Sequence, residues 1–343
     1  MSEEPEMHAV NPVAVEATDL VKTYPGGRKQ PDVKALDGLS FSIPAGTVYG
    51  MLGPNGAGKS TTTKIAATLS TATSGTVRVA GFDVGSAPDA VRGQIGYVSQ
   101  GTGADPRQTP LESLMMAARL RGVPRAAARD RATELLAQFD LADAADRRVG
   151  TLSGGMRRKL DVAIGLIHAP AVLFLDEPTT GLDPEARAEM WAEIRRLSAE
   201  TSLTVVLTTH YLEEADELAD RLVIIDHGRA VVEGTPGELK ATLDGDTLSV
   251  DLIEPDPASV RAAAGSIAAL RDVVVEARGT SGRLIARADD APAVIGSVIS
   301  AFDSAGIGFG AVSVSRPSLD DVYLHYVGHA FEVDAQNGKA ARS

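Results

Sequence analysis

The chain of 343 residues contains no cysteine, which excludes disulfide staples, thiolate metal sites and thiol nucleophiles and fits an intracellular protein. Positive charge is outweighed: 33 Lys and Arg stand against 46 Asp and Glu, a formal charge of −13. Non-specific nucleic-acid binding draws its affinity from neutralised phosphates, so a chain this acidic is a poor candidate for it and no nucleic-acid partner is expected. No uncharged apolar run reaches the roughly 20 residues that a membrane-spanning helix needs. The best stretch, Leu160 to Leu175, is interrupted by Asp161, His168 and Pro170. The opening Met1-Ser2-Glu3-Glu4-Pro5-Glu6 is acidic where a secretion signal is basic and then apolar. His8, His168, His227, His325 and His329 show no metal-ligand spacing. What remains is a protein expected to be soluble, or to sit on a membrane through a partner.

Apolar residues make up 44% of the chain, enough for a sizeable core, and its length allows two domains. The most informative stretch is Gly53-Pro54-Asn55-Gly56-Ala57-Gly58-Lys59-Ser60. It follows the apolar run Val48–Leu52 and leads into Thr61-Thr62-Thr63-Lys64-Ile65, so it reads as strand, glycine-rich turn, helix. Glycines let the backbone curl so that successive N–H groups point at one anion, and the helix N-terminus adds its partial positive charge there. Lys59 would reach the β- and γ-phosphates of a nucleoside triphosphate, and the Ser60 hydroxyl would take a place on Mg²⁺.

In chain order, residues 1–12 read as a flexible acidic lead. Alternating apolar residues from Val13 to Leu20 suggest an edge strand that ends in a turn over Val21–Gly27. Strand candidates follow at Leu36–Ile43, Val77–Gly81 and Ile95–Gln100. From about 101 to 168 three- and four-residue apolar spacing predicts a helical insertion. Ala171–Leu175 and Leu203–Leu207 are continuous apolar runs, the pattern of strands buried on both faces of a parallel sheet. A helix over Pro184–Glu200 joins them into a βαβ unit. Leu222–Ile225 and Ala230–Val232 form a hairpin that closes a first domain, 13–243. Beyond it, 246–330 reads strand, helix, strand, strand, helix, strand, the order of a ferredoxin-like split βαβ module, followed by a short helix over Ser318–Val327. Residues 331–343 read as a flexible tail.

Asp176-Glu177 stands at the carboxyl end of the run Ala171–Leu175, the edge where open parallel sheets bind ligands. Alone, the pair reads as a strand ending in solvated acids. Beside a phosphate loop, Asp176 can hold Mg²⁺ through water, and Glu177 can accept a proton from an attacking water. Two adjacent carboxylates there are expected to raise at least one pKa. In Thr151-Leu152-Ser153-Gly154-Gly155-Met156, Ser153 is a good N-cap, and two glycines bring the backbone within reach of a phosphate. Alone, this stretch reads as an ordinary capped helix.

Taken in order, these motifs resemble the ATP-binding cassette of ABC transporters over about Val13 to Leu239. Gly53–Ser60, with Thr61, resembles Walker A; Leu173–Glu177, Walker B with its catalytic glutamate; and Leu152–Met156, the signature. The resemblance implies that Gln100 is the Q-loop glutamine touching Mg²⁺ and water, and that Asp183 belongs to the D-loop. It likewise implies that His210 contacts the γ-phosphate and that Tyr24 stacks on adenine. The implied fold is an α/β P-loop cassette with a mixed sheet and a helical subdomain, plus a small α+β C-terminal domain. The implied cofactors are ATP and Mg²⁺. The implied partners are a second copy, which supplies the signature in trans, and an ABC-2-type integral membrane permease. The chain would then lie on the cytoplasmic face of the membrane, held through the permease. Ser153–Arg158, Leu175–Pro184, Thr209–Asp216 and Arg316–Tyr323 are similar to the daunorubicin-resistance type of drug-export ATPase. In that group the last motif is linked to assembly with the membrane subunit.

Two features depart from the family pattern. Met156 replaces the usual glutamine of the signature, and Gly101–Arg107 after Gln100 is irregular. Arg157-Arg158-Lys159 reads as a solvated helix face. Among other classes, a cassette ATPase of DNA repair would carry a coiled coil, zinc cysteines or a basic track, and a translation factor would carry two cassettes. An importer ATPase is the alternative within transport, and the C-terminal motif favours export over it.

Overall fold

A computed structural model describes residues 13–26, 31–101 and 103–327. The lead 1–12 and the tail 331–343, expected to be flexible, lie outside the described residues. The chain divides into two compact units, the second beginning at Pro236.

In the first unit β1 (Val13–Tyr24) and β2 (Val33–Pro44) pair, and β3 (Val48–Leu52) leads through the phosphate loop into α1 (Lys59–Ala66). β4 (Ser74–Val79), β5 (Phe82–Asp83), α2 (Pro88–Gln94) and β6 (Ile95–Val98) follow. The helical stretch is α3 (Pro110–Leu120), α4 (Arg125–Gln138) and α5 (Gly154–Gly165). Next come β7 (Val172–Asp176), α6 (Pro184–Glu200), β8 (Thr204–Thr209), α7 (Leu212–Leu218), β9 (Arg221–Asp226) and β10 (Arg229–Gly234).

These strands make two sheets. One is antiparallel in the order β2-β1-β4-β5. β1 is therefore interior and not the edge strand its alternation suggested; alternation marks one face on a core, and an interior antiparallel strand shows it equally well. Nor does β1 stop at Leu20. Its register slips between Ala17 and Leu20, where Asp19 adopts φ 49, so the strand bends there and continues to Tyr24. The other sheet has the order β10-β9-β3-β8-β7-β6 and is parallel except for β10. Every residue of β3, β7 and β8 is buried, because both faces are covered. Tyr49, Met51, Phe174 and Val206 pack toward the antiparallel sheet. Leu173, Leu175, Val205 and Leu207 pack toward the helical stretch. Since β8 lies between β3 and β7, one sheet edge presents the phosphate loop, Thr208-Thr209 and Asp176-Glu177 side by side.

The helix boundaries follow from their caps. α3 begins with a reciprocal capping box between Thr109 and Glu112, with Pro110 in its first turn. α6 begins with Asp183 accepting from the Ala186 N–H at 2.9 Å, again followed by a proline.

The second unit contains α8 (Pro236–Ala241), β11 (Asp246–Ile253), α9 (Pro257–Gly265), β12 (Arg271–Arg278), β13 (Ser281–Ala288), α10 (Ala291–Ser304), β14 (Gly308–Ser315) and α11 (Leu319–Val327). Its sheet is antiparallel, in the order β12-β13-β11-β14. β11 and β12, joined by α9, lie on either side of β13, which is the split βαβ arrangement. Asp256 and Asp290 cap α9 and α10. The stretch Arg316–Tyr323 is a helix start: Ser318 N and Oγ donate to Asp321 Oδ2, and the Asp321 N–H donates back to Ser318 Oγ. Thr247 Oγ1 on β11 donates to the same carboxylate at 3.0 Å.

Phe302 on α10 is fully buried among Leu248, Val250 and Leu284 and meets Phe309 edge-on. Phe302→Ala is expected to cost the second unit about 3–5 kcal/mol, the usual range for emptying a buried phenylalanine site. Urea unfolding of the full chain, followed by circular dichroism, measures this; an unshifted transition would remove Phe302 from the core.

Candidate active site

The phosphate loop is shaped by close backbone approach. A Cβ on Gly53 would lie 2.2 Å from the Ile225 carbonyl oxygen, and one on Gly58 would lie 2.7 Å from that of Ala35, at φ +109. Only glycine fits either place. Lys59 is buried, and its Nζ donates to the carbonyls of Gly53 (2.6 Å) and Pro54 (3.0 Å) inside the loop. Burial lowers its pKa, while the charges of Glu177 and Asp176 act to raise it. The loop closes on itself through Ala57 N–H to the Pro54 carbonyl at 3.2 Å. It is tied to β9 and β10 through Gly228 N–H to the Ala57 carbonyl at 3.0 Å.

Asp176 collects hydroxyls from three directions. Ser60 Oγ donates to its Oδ1 at 2.8 Å, Thr208 Oγ1 to the same oxygen at 2.7 Å, and the Tyr97 hydroxyl to Oδ2 at 3.3 Å. Burial, then the Asp176 charge, pushes the Tyr97 phenol well above its ordinary range, so it remains a donor. Tyr97 was not among the residues singled out from sequence; its only signal is an aromatic on the strand that ends just before Gln100.

Glu177 gathers two of the expected residues, Gln100 and His210, and also Thr180. Gln100 Nε2 donates to its Oε2 at 2.8 Å, Thr180 Oγ1 to the same oxygen at 3.1 Å, and His210 Nδ1 lies 3.2 Å from Oε1. The His210 approach lacks full hydrogen-bond alignment. Burial works to raise the Glu177 pKa, but His210, the Lys59 charge and the Thr180 hydroxyl together outweigh it and hold the carboxyl below its ordinary value. For Glu177 this reverses the expectation of a raised pKa: His210, Lys59 and Thr180 around it count for more than burial. Its backbone is left-handed, φ 49, and its N–H bonds both Thr208 oxygens at 3.1 Å.

The other expected residues stand outside this cluster. Ser153 caps α5, its Oγ accepting from the Met156 N–H at 3.2 Å, and Ser153 and Gly154 are exposed. The nearest neighbours of Gly154 and Gly155 are Leu182 and Ala186, beside the cap residue Asp183. Leu152 is buried, and Met156 packs its thioether against the core of the helical stretch, which accommodates an apolar residue in place of glutamine. Tyr24 is exposed at the end of β1, with the Lys22 ammonium 4.8 Å from its ring centroid. Arg158 is not on a solvated face. It is buried, and its guanidinium donates to the carbonyls of Pro178, Ser99, Asp176 and Glu177.

Comparison with known proteins agrees with this arrangement. Residues 36–180 match the ABC transporter family. The chain is 45% identical over 316 residues to the daunorubicin/doxorubicin resistance ATP-binding protein DrrA of Streptomyces peucetius, covering 92% of this chain and 93% of the relative. It is 44% identical over 230 residues to the Nod factor export ATP-binding protein I of Burkholderia orbicola, covering 67% and 75%. Its structure is similar to the ATP-binding cassette MJ0796, solved as a dimer in a post-hydrolysis state with ADP and Pi. That match has TM-score 0.58 and 27% identity and covers 64% of this chain and 98% of the cassette. Identity of this extent over nearly the whole of both chains shows that this chain belongs to the ABC transporter family, among the ATP-binding proteins of the daunorubicin- and doxorubicin-resistance group.

Proposed function

We propose that this chain is the ATP-hydrolysing subunit of a drug exporter, working as a homodimer on a separately encoded ABC-2-type permease. The observation that carries the reading is the division of the motifs. Lys59, Ser60, Gln100, Asp176, Glu177 and His210 converge, whereas Ser153 and Gly154 stand exposed at the start of α5. A phosphate loop of one copy facing Leu152–Met156 of the other completes the site. Among the described residues no helix is long and apolar enough to cross a membrane. The transport path therefore belongs to the permease, and the chain sits on its cytoplasmic side. The names of the relatives, drug resistance and Nod factor export, support outward transport.

Lys59 would leave the Gly53 and Pro54 carbonyls to meet the β- and γ-phosphates, and the loop N–H groups would line the same anion. Tyr24 would stack on the adenine. Ser60 Oγ and Asp176 Oδ1, oxygens 2.8 Å apart, suit Mg²⁺, which takes one or two protein oxygens and completes its shell with phosphate and water. Gln100 stays beside them, its amide nitrogen on Glu177 and its carbonyl left for the metal or its water. Bound Mg²⁺ would neutralise charge on the phosphates. Glu177, ionised at neutral pH, would orient the attacking water and take its proton, and His210 would face the γ-phosphate from the end of β8. Asp183, beside the signature, would couple the two sites of the dimer.

The Glu177→Gln variant should bind ATP and remain dimeric in its presence by size-exclusion chromatography. Its turnover should drop about 10²–10⁴-fold, the usual contribution of a positioned acid or base. Turnover near the wild-type rate would remove Glu177 from the base role. Gly154→Asp should likewise abolish turnover while nucleotide binding is retained; full activity would argue against the composite site.

Because the folded value of Glu177 is depressed, its stabilising contribution is complete above the ordinary carboxyl range and is lost as pH falls through that folded value. In His210→Ala the opposing effect of burial gains ground, so the Glu177 midpoint in a ¹³C carboxyl titration should move upward. An unmoved midpoint would show that His210 does not hold it down.

A further inference from the structure

Arg158 lies one turn beyond the signature on α5 and has no carboxylate as a hydrogen-bond partner among those described. Its planar fork is spent on main-chain carbonyls: Nε donates to Pro178 (2.7 Å), Nη1 to Ser99 (2.6 Å), and Nη2 to Asp176 (3.2 Å) and Glu177 (3.3 Å). Three consecutive carbonyls reach one guanidinium only where the chain curls around it, and the residue at the centre of that curl is Glu177 at φ 49. Left-handed backbone at a non-glycine residue is strained and persists only where its surroundings enforce it. One turn further along α5, buried Asp161 accepts from the Gly103 N–H at 3.0 Å. Residues on one face of α5 therefore hold both flanks of Gln100 as well as the turn that carries Glu177.

We propose that Arg158 is a positioning residue for hydrolysis: it fixes the left-handed turn that aims the Glu177 carboxylate toward Gln100 and His210, and it makes that turn move with the signature helix. A planar, five-donor group suits this task; a lysine offers a point charge that satisfies fewer of the carbonyls at once. The charge is buried because the carbonyls are there to receive it, since a guanidinium this enclosed needs its donors satisfied. The inference rests on the proposed role of Glu177 and adds a route between two motifs. Ser153 and Gly154 begin α5, and α5 is bonded to the Glu177 turn and the Gln100 segment of its own chain.

The test is a double-mutant cycle on the purified full-length chain, with Arg158→Met, Arg158→Lys, Glu177→Gln and the Arg158→Met/Glu177→Gln double variant. Steady-state ATP hydrolysis gives kcat and KM, and single-turnover measurement covers the slow variants. Arg158→Met should lower kcat by on the order of 10²-fold, the scale of a misplaced reacting group, with KM for ATP nearly unchanged. Arg158→Lys should fall between it and the wild type. In the Glu177→Gln background Arg158→Met should remove little of the residual rate, because its effect passes through the carboxylate already removed. An equal loss in both backgrounds, or kcat unchanged in both Arg158 variants, overturns the proposal. Should Arg158→Met not fold, Arg158→Lys takes its place in the same cycle, with the same outcomes deciding. Wild-type turnover in Glu177→Gln alone would instead overturn the role of Glu177, so the two failures are separable.

Discussion

The carboxylate of Asp176 is the constraint on which the site depends. It stands at the end of β7, 4% exposed, where an ionised group without partners would be strongly disfavoured. The hydroxyls of Ser60, Thr208 and Tyr97 supply those partners, from α1, β8 and β6. Hydrogen bonds to a charged group contribute about 1.5–3 kcal/mol each, so the three together are comparable to the penalty they offset. Their consequence is positional. Ser60 is the second residue of α1, so bonding Asp176 sets that helix, and with it the curl of the phosphate loop, against the strand ends. The central sheet thereby turns a local glycine-rich turn into one wall of an active site.

Around that anchor the charges are balanced unevenly. Two carboxylates and one ammonium occupy a buried cluster, with the His210 ring beside them. Burial pulls Lys59 toward losing its proton and Glu177 toward gaining one; their mutual attraction opposes both shifts. For Lys59 burial wins. For Glu177 the neighbours win, because His210, the Lys59 ammonium and the Thr180 hydroxyl act together against burial. A carboxylate kept ionised beside the phosphate loop would repel an incoming triphosphate, a repulsion that the loop amides and Lys59 oppose. A carboxylate charged in advance suits the proton-accepting role proposed for Glu177, with the cationic side of the site left to admit the nucleotide.

Much of this was legible in the sequence because the motifs are local. Gly53–Ser60 announces its strand-turn-helix context, and Asp176-Glu177 follows a run apolar enough to be a buried strand. The helix Pro184–Glu200 has clear caps at its start. What escaped were properties that depend on distant partners. β1 looked like an edge strand because alternation reports one buried face and says nothing about lateral neighbours. Tyr97 looked like an ordinary strand aromatic, since its partner Asp176 is far along the chain. Arg158, in a run of three basic residues, looked solvated, because composition cannot show four carbonyls waiting for it. The Glu177 pKa went the opposite way from that suggested by its neighbour in sequence, because its neighbours in space are His210 and Lys59.

The signature shows how one helix serves two kinds of contact. At its first turn Ser153 and Gly154 are exposed, while half-buried Met156 packs against the core of the helical stretch. A glutamine at that position would bring a polar amide to the same half-buried place; methionine fills it with apolar, adaptable volume. The first turn is thereby packed against the helical stretch through an apolar side chain. One turn later Arg158 and Asp161 bind the backbone on either side of Gln100, and Arg158 adds the Glu177 turn. α5 is thus packed into the helical core at its start and bonded to the catalytic strands at its middle. A displacement of its exposed end cannot be absorbed locally, because close-packed interiors transmit strain, and the groups placed to receive it are those that would handle the attacking water.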